Sequence, residues 1–309
     1  MNMIKRIRYV ILAAMAFGVA HAAEPTLGDK VLGEFLKGTD HSLVPLWKEK
    51  APNPVNVGKA ETHKATRVSN VSTPTMTIVR PKHQTSDAAV IIFPGGGYHI
   101  LSIQKEGADI AKWASDLGIT AVVLKYRVPC KRDLTKPFAP LQDAQRAIRL
   151  LRSKAKELKI DPNKIGVLGF SAGGHLAATL SHQADTDSYK AEDEIDKISS
   201  KPDFTVLIYP AYLSKRDNTV SDELNDKTKY ANLPPMFVAF AWDDPFLKSC
   251  FPYLQQLRDA KKKNVELHIL PRGGHGGGMQ KRSYPFSEWG KYCERWLRDQ
   301  KLIAEKKEH

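Results

Sequence analysis

The segment running from Ile165 to His175 narrows the choice of fold more than any other part of the chain. A short apolar run at 165–168 passes through Gly169-Phe170-Ser171-Ala172-Gly173 and continues as an apolar helical pattern to about Leu180. A strand that becomes a helix within so few residues forces a strained backbone at Ser171. Side chains two positions to either side would run into the neighbouring strand and helix, which accounts for Gly169 and Gly173. The Ser171 hydroxyl is then left at a helix N-terminus, whose partial positive charge favours a developing anion.

The remaining chain supplies a framework for such a turn. Continuous apolar runs at 88–93, 120–126, 204–209, 236–241 and 265–270 read as buried strands, and the alternating 75–79 reads as an edge strand. Helical spacing occupies 108–117, 142–158, 246–260 and 287–303 between or after them. Buried strands alternating with amphipathic helices give an α/β protein with a mostly parallel sheet and helices on both faces. Residues 23–70 are polar and punctuated by proline, and they read as a lead-in that wraps the core. Two polar stretches, 183–201 and 214–232, interrupt the rhythm; the second stands where a lid, a pocket wall or an inert surface loop would fit.

The first 22 residues have the parts of a signal peptide. Lys5, Arg6 and Arg8 form a basic start, 9–20 is apolar, and Ala20-His21-Ala22 offers a cleavage site ahead of Ala23. A short membrane anchor is the alternative, and both place the body of the chain in a secreted or periplasmic setting. No run reaches the roughly 18 to 20 apolar residues of a spanning helix, so no membrane span is expected after cleavage. With 42% hydrophobic residues the chain is no disordered polymer. Its net charge of +13 raises the question of nucleic acid, but the lysines are scattered and no binding motif accompanies them. No nucleic-acid partner is expected; weak attraction to acidic polysaccharide or a cell surface fits better. Cys130, Cys250 and Cys293 are odd in number, so at least one thiol is unpaired within the chain. No Cys or His pair has zinc-site spacing, and no structural metal is expected.

A serine on such a turn needs a base, and the base an orienting acid. In this architecture they follow in the order serine, acid, histidine, each past the end of a later strand. The run 236–241 leads into Trp242-Asp243-Asp244-Pro245, and 265–270 leads into Pro271-Arg272-Gly273-Gly274-His275-Gly276-Gly277-Gly278. His275 is the expected base and Asp244 the expected acid that holds its tautomer. Asp243 is the rival acid; Asp244 is favoured because it precedes the proline that opens the next helix, leaving Asp243 to cap or turn the loop. His175 is expected to pack against its helix, and His99, His182 and His268 fall outside the order.

A fourth part is a donor set for an oxyanion. Pro94-Gly95-Gly96-Gly97-Tyr98 follows a buried strand, the position from which a backbone N–H can face the nucleophile. Gly96, Gly97 and Ala172 are the expected N–H donors, with no Cβ to keep the glycines from a substrate oxygen.

These motifs together carry a resemblance. Phe93-Pro94-Gly95-Gly96-Gly97-Tyr98, Val123-Leu124-Lys125-Tyr126-Arg127, Pro140-Leu141-Gln142-Asp143-Ala144, the turn at 169–175, Asp243-Asp244-Pro245 and Gly273-Gly274-His275-Gly276 resemble those of exported α/β-hydrolase esterases of the acetyl xylan esterase-like group. That group is related to the feruloyl esterase and hormone-sensitive-lipase branches. The resemblance implies an eight-stranded α/β-hydrolase sheet with its catalytic domain over 71–309. It also implies no cofactor, and hydrolysis of acetyl or other small acyl esters on plant or algal polysaccharide or on small ester substrates. Two departures touch the pocket walls. Phe240-Ala241-Trp242 stands where the group commonly has His-Gly or His-Ala, and Gly276-Gly277-Gly278 where it has Gly-Phe-Gly. The constellation alone also suits a peptidase or lactone hydrolase, and the scaffold could carry a silent binding module, though such modules usually lose the serine or histidine.

Overall fold

The computed structural model describes residues 24–131, 138–280 and 283–305. The expected signal segment, 1–22, lies outside the described residues. Strands are β1 (Asp40–Pro45), β2 (Thr62–Lys64), β3 (Arg67–Ser69), β4 (Thr75–Arg80), β5 (Ala89–Phe93), β6 (Ile100–Leu101), β7 (Thr120–Lys125), β8 (Ile165–Phe170), β9 (Thr205–Ile208), β10 (Met236–Ala241) and β11 (Val265–Leu270). Helices are α1 (Leu27–Phe35), α2 (Asp109–Asp116), α3 (Ala139–Ser153), α4 (Ala155–Leu158), α5 (Ala172–Gln183), α6 (Leu247–Asp259) and α7 (Trp289–Asp299).

Eight strands form the main sheet in the order β1-β4-β7-β5-β8-β9-β10-β11, and β2, β3 and β6 form a small second sheet. Pairing is parallel from β7 through to β11 and antiparallel only at the β1-β4 and β4-β7 steps. Every residue of β5, β7, β8 and β10 is buried. Since successive strand side chains point to opposite faces, both faces of the sheet are covered. The turns after β5, β8, β10 and β11 leave from one edge, the carboxyl end of a parallel sheet, where ligands of such folds bind. Phe93 pairs with Gly169 at the ends of neighbouring strands, which sets the glycine run beside Ser171.

The structure corrects several sequence expectations. Residues 24–70 do more than wrap the core: they supply α1, β1, β2 and β3, and β1 is the outermost strand of the main sheet. Its polar sequence and half-exposed residues hid it. Consequently β4 is not an edge strand, and only Arg80 within it escapes burial. Thr75 within it is compatible with burial because its hydroxyl finds a partner, Oγ1 donating to Asp29 Oδ1 at 2.6 Å. The helix expected at 142–158 starts earlier, with Pro140 in its first turn, and is interrupted at Lys154. The C-terminal helix is shorter than expected, with a 3-10 turn at Pro285–Glu288 leading into α7. Cys130, Cys250 and Cys293 are all free thiols.

Candidate active site

The turn after β8 has the strain its sequence demands. Ser171 adopts φ 51° and ψ −117°, outside the regions an L-residue prefers. Backbone bonds on both sides lock it there: Ser171 N–H donates to Ile208 O at 3.1 Å, and Ser171 O accepts from His175 and Ala211 at 3.0 Å each. A Cβ at Gly169 would meet Gly173 O at 2.1 Å, and one at Gly173 would meet Phe93 O at 2.0 Å. Both glycines are therefore steric requirements of this turn.

Three side chains remote in sequence converge at that edge. His275 Nε2 lies 2.8 Å from Ser171 Oγ, and His275 Nδ1 lies 2.7 Å from Asp244 Oδ2. The Asp244 side chain is fully enclosed, and its Oδ1 accepts the Phe246 N–H at 2.7 Å. Asp243 stands outside this chain of contacts. Its Oδ1 accepts the N–H groups of Gly273 and Gly274 at 2.9 and 2.8 Å, which pins the loop that carries His275. Those donors, led by Gly274, hold the Asp243 carboxyl below the ordinary carboxylate range. Chemically, the arrangement lets a hydroxyl lose its proton to an imidazole whose cation faces a buried carboxylate.

The glycine run after β5 divides its work. Gly95 N–H is committed to Glu106 Oε2 at 2.8 Å. Gly96 and Gly97 follow with φ 138° and 64°, and a Cβ at Gly96 would strike Ile100 O at 2.1 Å. Ala172 is the first residue of α5, so its N–H belongs to the orphan donors of a helix start.

Two residues at this site carry no motif, and sequence reasoning does not single them out. Glu106 is buried within a π-helical turn at Gln104–Ala108, and Tyr209 lies just beyond β9. Tyr209 hydroxyl donates to Glu106 Oε1 at 2.8 Å and accepts the Gly278 N–H at 2.8 Å, while its ring packs 4.9 Å from that of His275. Burial raises the Glu106 carboxyl above its usual value, against the bonds from Tyr209 and Gly95. His175 is buried as expected, but it also bonds Tyr98 hydroxyl at 2.8 Å and Glu223 Oε1 at 2.6 Å. His182 is buried between Tyr230 and Tyr253, and His268 stacks on Tyr292, both away from Ser171. Among the described residues no group of three or more His, Cys, Asp or Glu is arranged to hold a metal ion.

A parallel sheet crossed by a strand–serine–helix turn, with glycine loops at its carboxyl edge, is the architecture of an α/β hydrolase. Comparison with known proteins agrees. The sequence profile described as the α/β-hydrolase fold matches residues 90–231. The acetyl ester-xyloside bifunctional hydrolase of Caldicellulosiruptor lactoaceticus is 32% identical, with a TM-score of 0.70 over 85% of this chain and 97% of that one. The propionate-bound esterase 2 of Thermogutta terrifontis is 25% identical, with a TM-score of 0.62 over 82% and 98%. The acetylxylan esterase of Xylanibacter ruminicola is 29% identical over 69% of this chain and 44% of its own length. The chain belongs to the α/β-hydrolase family. It spans less than half the length of the curated relatives it matches first.

Proposed function

We propose that this protein is a serine esterase that removes acetyl or other small acyl groups from plant or algal polysaccharide. The observation that carries this is the contact chain from Ser171 through His275 to Asp244, at 2.8 and 2.7 Å. Ser171 Oγ attacks the ester carbonyl as His275 Nε2 takes its proton. The N–H groups of Gly96, Gly97 and Ala172 hold the oxyanion; one such donor is worth roughly 3 kcal/mol in the transition state. His275 returns the proton to the leaving sugar hydroxyl, which leaves an acyl group on Ser171. A water deprotonated by His275 then attacks that acyl-enzyme, the carboxylic acid departs and the serine is restored. Asp244 keeps Nδ1 protonated and faces the transient imidazolium.

The acyl-sugar substrate is supported by what the relatives are named for, an acetylxylan esterase and an acetyl ester-xyloside hydrolase. The basic start, the apolar 9–20 run and Ala20-His21-Ala22 support an exported enzyme, with Ala23 as its mature N-terminus. Acetate release from acetylated xylan, compared between the native chain and Ser171→Ala, tests the reading. The variant is expected to lose roughly 10⁴- to 10⁶-fold in kcat/KM. Undiminished release by Ser171→Ala would refute it.

A further inference from the structure

Next to the candidate site the surface opens into a groove whose charge is one-sided. Its inner cavity, of about 640 Å³, is walled by Tyr212 and Phe246 and lined by Lys215, Arg216 and Lys248. An outer cavity of about 810 Å³ shares Asn218 and Lys248 with the first, continues along α6 past Phe251 and Gln255, and is lined also by Lys227. Four cations and no carboxylate line the pair. The chain's overall excess of base does not explain this. Three other surface cavities each include a carboxylate: Asp87 in one, Glu49 in another, and Asp40 with Asp116 in the third.

The inner end reaches the reacting groups. The Phe246 ring packs 4.8 Å from that of His275, and the Tyr212 ring 5.5 Å from that of Phe246. A Cβ on Gly97 would lie 3.6 Å from the Tyr212 hydroxyl. A sugar whose ester sits at Ser171 therefore has the groove as its neighbour.

The cations differ in their engagement. Asp222 takes Lys215 at 2.7 Å, and Asp217 turns inward to the N–H and hydroxyl of Thr219. Among the described residues, no carboxylate pairs with Arg216, Lys227 or Lys248. On α6, Lys248, Phe251 and Gln255 recur at helical spacing and so form one stripe, with Phe251 48% exposed. An open aromatic face beside an amide suits the apolar face and the hydroxyls of a sugar ring. Lys248 in that stripe, with Arg216 and Lys227 lining the same groove, adds an attraction that only a negatively charged sugar can use.

We propose that this groove binds the uronate-bearing stretch of an acylated polysaccharide, with Arg216 and Lys248 meeting its carboxylates. The proposal rests on the esterase reading for what is cleaved, and on the groove alone for what is bound. The test reads binding and no turnover. The full chain is titrated calorimetrically with an unacetylated xylo-oligosaccharide carrying one uronic acid, and with the same oligosaccharide after reduction of its carboxyl to an alcohol. At low salt the uronate form is expected to bind about three- to tenfold more tightly. That advantage disappears in about 0.5 M salt, where screening acts within a few ångströms. It also disappears in the surface double variant Arg216→Glu/Lys248→Glu. Equal binding of the two oligosaccharides at low salt, or equally tight binding of a polyglutamate of similar charge, overturns the proposal. Failure of the esterase reading would show separately, as absence of acetate release by the native chain.

Discussion

The Tyr209 hydroxyl donates to Glu106 Oε1 at 2.8 Å, and this contact is the centre of a set of bonds that ties the glycine loop after β5 to the loop that carries His275. Through Glu106 it reaches the Gly95 N–H, and through the same hydroxyl it holds the Gly278 N–H behind His275.

Tyr209→Phe removes that hydroxyl and leaves both Glu106 Oε1 and the Gly278 N–H without their partner. The expected cost is about 1–3 kcal/mol of stability for each buried group left unsatisfied, read by urea unfolding. Because the shift falls on the loop of His275, kcat should drop roughly 10- to 100-fold while KM changes little. A loss confined to KM would contradict this placement.

Asp243 provides the pH-dependent fastening. Its carboxyl is held below its ordinary value by the Gly274 and Gly273 N–H groups. A depressed carboxylate contributes stability that is present above its unfolded pKa of about 3.9 and lost as pH falls through the folded value. Asp243 is exposed, so the contribution is screened and small, no more than about 1 kcal/mol. Asp243→Ala should therefore be slightly less stable than the native chain at pH 7, with the gap closing as pH approaches 3. A gap that widens in acid would contradict the assignment.

Glycines in the loop after β11 are unequal. Gly277 is not among the glycines with positive φ and has open space around it, whereas Gly278 has φ 57° and its Cβ would meet Lys105 O at 2.3 Å. Gly277→Ala should leave unfolding within about 0.5 kcal/mol of the native value. Gly278→Ala should cost more than about 1 kcal/mol from backbone strain alone. Thermal unfolding of the two variants separates them, and equal midpoints would contradict the geometry.

Much of this architecture was legible in the chain because local chemistry and global topology demanded the same residues. Gly169 and Gly173 announce the turn, and apolar runs ending before Asp244 and His275 announce where the partners stand. The features that escaped notice arise from contacts between distant segments. β1 is polar because it lies at the rim, and Thr75 of β4 is buried because its hydroxyl bonds across to Asp29 of α1. The motifs around Arg127 and Asp143 read as part of a resemblance, yet they meet as an enclosed ion pair with Nε–Oδ2 at 2.9 Å and Trp47 bonded to the same carboxylate. Glu106 and Tyr209 have no local signature, since their roles exist only once β5, β9 and the loop after β11 are brought to one edge.

The most direct measurement is to treat the folded chain with a fluorophosphonate and locate the adduct by peptide mass spectrometry. One adduct on Ser171, formed far more slowly in His275→Ala, is the predicted result. A native chain that stays unmodified at Ser171, or is modified there as fast without His275, would contradict the account.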